Sequence, residues 1–160
     1  MKSAQEWFDE YAVSHQNPTN KLIHWICVPT IFFSIIGLLV SIPSESMSTF
    51  LPEPYQAYFN VGTIVILLGL IFYFSISKPL FLGMILFSAF TLWGNVQLLQ
   101  LDFMPLWLFS IIIFVAAWIG QFIGHHIEGA KPSFFKDLQF LLVGPAWLMG
   151  FIYKAAGMKY

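Results

Sequence analysis

Arginine is missing from this chain and cysteine is nearly so. One thiol, Cys27, excludes a disulfide framework, a cysteine-based zinc site and an iron–sulfur cluster. It lies in an apolar run and reads as an inert packed side chain. Charge of either sign is scarce. Asp, Glu, Lys and Arg make up 9% of 160 residues, against about 25% in an ordinary soluble domain. The formal net charge of −1 leaves no basic field, so no nucleic-acid partner is expected. A P-loop, a dinucleotide fingerprint and a Ser-His-Asp arrangement are all absent. So is the many-histidine pattern of integral-membrane di-iron desaturases, because His125-His126 is not preceded by His at position 122 (Phe122) and the chain has only 4 His.

Apolar surface is what the chain has in excess. Hydrophobic residues make up 58%, with 18 Phe, 6 Trp and 6 Tyr. A globule of this size cannot hide that much from water, and a disordered chain would not carry it. Four stretches contain no Asp, Glu, Lys or Arg: Leu22–Pro43, Pro54–Ser77, Pro79–Leu101 and Phe103–Ile127. Each exceeds the roughly 20 residues that a membrane helix needs, and hydrocarbon forces the backbone to bond within its own segment. The expectation is an all-α integral membrane protein, one domain over 1–160. Its four-span bundle has helices near 22–42, 58–77, 79–99 and 104–125, the first kinked at Pro29.

The fifth apolar stretch, 138–153, is short and interrupted by Gly144-Pro145. It reads as a re-entrant or interfacial helical hairpin. Ahead of the first span, Ala4, Trp7, Phe8, Tyr11 and Ala12 recur at helical spacing opposite Glu6, Asp9 and Glu10. They form an amphipathic helix that lies on the membrane or caps the bundle. This start lacks the basic head and apolar core of a cleavable signal, so none is expected. With four spans and the N-terminus inside, Lys2, Lys21, Lys78, Lys131, Lys136, Lys154 and Lys159 all fall on the cytoplasmic side, as the positive-inside rule asks. That places the chain in a bacterial inner membrane or, in a eukaryote, the endoplasmic reticulum.

This topology gathers His15, His24, His125 and His126 at one membrane boundary, with Asn17, Asn20, Gln121 and Glu128. Ionisable residues at such a depth are costly without partners and mark a functional site. Asn17-Pro18 reads as an N-cap followed by the first helical residue. His24 then shares a face with Asn17 and Asn20, and Gln121, His125 and Glu128 share another. His126 points about 100° from His125 and reaches the site only if the helix ends there, as Gly129 allows. Imidazole nitrogens suit iron, zinc, copper and nickel, and a 2-His-1-carboxylate set with open positions suits O2-activating iron(II). Four His with Glu128 can supply such a set. Lys21 and Lys131 are placed to steer a carboxylate or to reach lipid phosphate.

The segments running from Tyr11 through His15, Asn17-Pro18, Asn20 and His24 to Pro29, and from Trp118 through Gln121, Gly124-His125-His126 and Glu128-Gly129 to Pro132, resemble a small membrane family of iron(II)-dependent 2-hydroxy fatty acid dioxygenases. The likeness extends over nearly the whole chain and includes Gly144-Pro145. It implies α-oxidation, in which O2 cleaves a 2-hydroxy fatty acid to the acid one carbon shorter without 2-oxoglutarate. It points to His15, His24 and His125 as the residues matching the family's histidines, with Fe(2+) as cofactor. His126 and Glu128 are additions from local geometry. The expected partners are the 2-hydroxy acid, whose carboxylate and hydroxyl would chelate the iron, together with O2 and membrane lipid. Two other classes compete: a haem-binding electron carrier with His24 and His125 as axial ligands, and a non-catalytic scaffold or lipid-binding protein.

Overall fold

With so few charges, the long apolar segments have only their own backbones to bond to, and they fold as helices. The computed structural model describes residues 2–129 and 140–160. Among these it contains eight helices and no strand. In chain order they are α1 (Ala4–Ala12), α2 (Pro18–Val40), α3 (Glu45–Ser48), α4 (Glu53–Gln56), α5 (Val61–Ile76), α6 (Lys78–Leu101), α7 (Leu106–Glu128) and α8 (Val143–Ala155). Three of them, α2, α6 and α7, are long and apolar enough to cross a membrane, which marks a membrane protein. The stretch expected as a second span, 58–77, forms a helix of 16 residues, shorter than the usual membrane length of about 20.

The helix boundaries have local causes. Ser3 and Glu6 make a reciprocal capping box on α1: the Glu6 carboxylate accepts from the Ser3 N–H at 2.7 Å, and the Ser3 hydroxyl accepts from the Glu6 N–H at 3.3 Å. Ser77 alone separates α5 from α6 and caps the latter, accepting from the Leu80 N–H at 3.3 Å. α2 continues through Pro29. α7 runs three residues past the expected end at 125 and stops at Gly129, whose φ of 75° only glycine adopts without cost.

α2 is the central element, touching α5, α6, α7 and α8, and its longest interface is with α7. Side chains such as Leu68, Ile71, Leu82, Leu86, Phe90, Ile112 and Ile119 are more than half exposed on α5, α6 and α7. Lipid, not water, is the solvent that such a surface suits. α1 buries Ala4, Phe8 and Tyr11 and packs against α8, so it caps the bundle.

α8 departs from the expected hairpin. Gly144-Pro145 does not interrupt it but lies in its first turn, where a missing N–H costs no intrahelical bond. Val143 through Leu148 and Gly150 are all buried, so this helix is inserted among its neighbours. Residues 138 and 139, the start of the expected hairpin, lie outside the described residues, as does Lys131.

Candidate metal centre

Two helix ends and one linker meet where α2 begins and α7 finishes. Asn17 starts α2: its Oδ1 accepts from the N–H groups of Thr19 at 2.8 Å and Asn20 at 3.4 Å, and Pro18 follows at the first helical position. Glu128 lies at the opposite pole of α7. One carboxylate oxygen accepts from the Gln16 N–H at 2.7 Å, and the other accepts from the Asn17 N–H and Asn20 Nδ2, both at 2.9 Å. A carboxylate at a helix C-terminus opposes the helix dipole, and the donors at the α2 N-terminus offset that. Asn20 Nδ2 also donates to the Ser14 carbonyl at 3.2 Å. This clasp fixes the linker that carries His15 against both helices.

Close approach of the helices requires Gly124. A Cβ there would stand 2.4 Å from Asn20 Oδ1 and 3.4 Å from His24 Cε1. One turn along, a Cβ at Gly120 would stand 2.6 Å from Cys27 Sγ.

Within this frame His15, His24 and His125 converge. Each offers a ring nitrogen, and these three atoms lie within 4.8 Å of one another. All three side chains are buried. The ring centroids are 4.2 Å apart for His15 and His24, 5.3 Å for His15 and His125, and 5.1 Å for His24 and His125. His15 Nδ1 lies 2.6 Å from the Tyr11 carbonyl oxygen, and His24 Nδ1 lies 2.9 Å from the Asn20 carbonyl oxygen. A carbonyl only accepts, so Nδ1 carries the proton in both rings and the lone pair of each neutral ring is on Nε2. Orientation through the distal N–H is how metal-binding imidazoles are commonly set. His15 Nε2 is buried and has no hydrogen-bond partner among the described residues. Burial pushes the His15 pKa down to about 4. The ring is therefore neutral at pH 7, the form that ligates.

Three imidazole nitrogen donors from separate elements fit a divalent transition ion and leave coordination positions open for small ligands. They do not fit haem between His24 and His125, since the His15 ring lies 4.2 Å and 5.3 Å from those two rings, in the space a macrocycle would need.

The other expected site residues fall into distinct places. His126 is exposed and outside the cluster, because α7 continues as a regular helix to Glu128 and the neighbour of a buried residue points away. Glu128 is committed to the clasp. Gln121, one turn before His125, is buried beside a narrow apolar crevice lined by Tyr11, Val28, Ile31, Trp118 and Gly144. Lys21 lines a wider cleft of about 200 Å³, with His15 in its wall.

Sequence reasoning did not single out Tyr11 or Trp147 as site residues. The Tyr11 ring stacks on His15 at 4.1 Å and 13°. Trp147 of α8 closes over both, 5.1 Å from Tyr11 and 5.6 Å from His15. Tyr11 stands one helical turn before His15, a spacing that could have revealed it. Nothing local ties Trp147 to a histidine 132 positions away.

A family model described as 2-hydroxy-palmitic acid dioxygenase Mpo1-like matches residues 1–156. The chain is 30% identical over 153 residues to the 2-hydroxy-palmitic acid dioxygenase MPO1 of Saccharomyces cerevisiae, covering 92% of this chain and 79% of the yeast protein. No solved structure matches it.

Proposed function

The chain belongs to the Mpo1-like family, and on that premise we propose that it is an iron(II)-dependent membrane dioxygenase that shortens 2-hydroxy fatty acids by one carbon. The observation that carries this reading is the buried convergence of His15, His24 and His125 within 4.8 Å. These three residues would hold the ion, and iron(II), when bound, supplies the activation of O2. The balance supports the reading: a 2-hydroxy acid and O2 give the shortened acid, carbon dioxide and water. Four electrons leave C1 and C2 and O2 takes four, so no second reductant or 2-oxoglutarate is needed.

The protein's own groups do the rest. The clasp of Glu128, Gln16, Asn17 and Asn20 holds the linker of His15 in register with α2 and α7. Tyr11 and Trp147 shut water away from one side of the triad. An acyl tail that leaves the site along the apolar helix surfaces gains about 0.8 kcal/mol per CH2 buried. We also propose four spans, counting α5, with both termini and the triad cytoplasmic, because every Lys then faces inside.

The test is product analysis. With iron(II) and O2, reconstituted protein should convert 2-hydroxy long-chain acids to acids one carbon shorter and leave unsubstituted acids untouched. His24→Ala should abolish the conversion. Absence of any shortened acid across several chain lengths would refute the reading.

A further inference from the structure

The cleft beside His15 carries two cations that neither the triad nor the clasp uses. Lys21 lines it from the first turn of α2, and Lys154 from the last turn of α8. Among the described residues neither makes an ion pair or a hydrogen bond, whereas Lys2 pairs with Glu10. The acidic side chain in the cleft, Asp9, already accepts from Gln5 Nε2 at 2.7 Å. Phe8, Trp147 and Phe151 supply an apolar flank, and His15 links the cleft to the triad. Two cations over an apolar wall beside a metal-ligating ring fit an amphiphilic anion whose head group is a carboxylate. A volume of about 200 Å³ holds a carboxylate and the first methylenes.

We propose that Lys21 and Lys154 form the carboxylate-reading mouth of the active site, with Lys154 as a positioning residue. The proposal rests on the dioxygenase reading only for the identity of the anion.

The experiment measures binding of unsubstituted hexadecanoic acid and its methyl ester to the full chain in zwitterionic lipid nanodiscs, at a pH where the acid is ionised. Neither probe needs to turn over. The acid should bind about tenfold or more tightly than the ester, as the loss of one charge-assisted contact predicts. Lys154→Gln and Lys21→Gln should each weaken acid binding about three- to tenfold and leave ester binding unchanged. Asp9→Asn should strengthen acid binding slightly, and Lys159→Gln, outside the cleft, should change nothing. In turnover of the 2-hydroxy acid, Lys154→Gln should raise KM more than it lowers kcat, with metal content retained. Equal binding of acid and ester, no effect of Lys154→Gln, or equal displacement of the acid by anionic phospholipid would overturn the proposal. If the acid preference and its dependence on Lys154 hold while no 2-hydroxy acid is shortened, the dioxygenase reading fails and the cleft assignment stands.

Discussion

α2 packs on its neighbours through a polar cluster toward each end, α7 facing the first and α6 with α7 the second, and the two resemble each other until the donor atoms are considered. At one end Gly124 lets Asn20 and His24 approach α7. At the other, Gly37 does the same for Asn95 and Ser110: a Cβ there would stand 2.4 Å from Asn95 Oδ1 and 2.3 Å from Ser110 Oγ. Both ends are buried, and both contain polar atoms without a hydrogen-bond partner among the described residues: His15 Nε2 at one, Asn95 Oδ1 and Ser110 Oγ at the other. An unsatisfied buried atom therefore does not identify a functional site by itself. Asn95 donates to the Phe33 carbonyl of α2 at 3.1 Å and to the Thr91 carbonyl at 3.0 Å. That is hydrogen-bonding between membrane helices, worth about 0.6–2 kcal/mol. The His15 end differs in bringing together three imidazole nitrogens, two of them in tautomers set by backbone carbonyls, which hydroxyls and amides cannot mimic toward a divalent transition ion.

The comparison breaks most sharply on the ligands themselves. His15→Ala, His24→Ala and His125→Ala should each lower bound metal more than about tenfold, the loss expected for a ligand as against its supporting shell. Asn95→Ala should leave metal content unchanged and lower stability by about 1–2 kcal/mol. Elemental analysis beside denaturation in mixed micelles measures both. The glycines come next. Gly37→Ala and Gly124→Ala both force a Cβ into an occupied space and should cost about 1–3 kcal/mol, but only Gly124→Ala should also release metal, since the atoms it displaces are those of Asn20 and His24. Smaller still is Glu128→Ala, which removes the acceptor of three N–H groups. It should cost about 1–2 kcal/mol, with partial loss of metal because the linker of His15 loosens. At the bottom of the scale, exposed His126→Ala should alter stability by less than about 0.5 kcal/mol and leave metal and turnover in place.

Much of this arrangement was legible in the sequence because it rests on local rules. Apolar runs free of charge gave the helices, Asn17-Pro18 gave the start of α2, Gly129 gave the end of α7, and heptad-scale spacing put His24 over Asn20 and Gln121 beneath His125. Asn95 bonds across to the Phe33 carbonyl of α2, whereas Gln97 bonds to Tyr58 in the loop between α4 and α5. What escaped depends on which helix faces which. A Cβ at Gly83 would stand 2.9 Å from Met149, one at Gly62 would stand 3.0 Å from Val40, and one at Gly69 would meet only an ordinary contact at 3.6 Å. The closest approaches are at Gly37 and Gly124, opposite side chains of partners distant in sequence. Gly144-Pro145 read as a breaker because a pair of that kind ends helices more often than it begins them; the N-terminal turn of α8 tolerates it. Glu128 read as a ligand because its spacing to His125 is right, whereas the donors that engage it come from positions 16, 17 and 20, more than a hundred residues away.

The central claim, that His15, His24 and His125 are a metal site and the Asn95 cluster is not, is tested most directly by iron stoichiometry. The full chain and its His15→Ala, His24→Ala, His125→Ala and Asn95→Ala variants would be loaded anaerobically with iron(II) in lipid nanodiscs, desalted and analysed. The account predicts about one iron per chain in the unaltered protein and in Asn95→Ala, and almost none in each histidine variant. Iron retained by all three histidine variants, or absent from the unaltered protein, would contradict it.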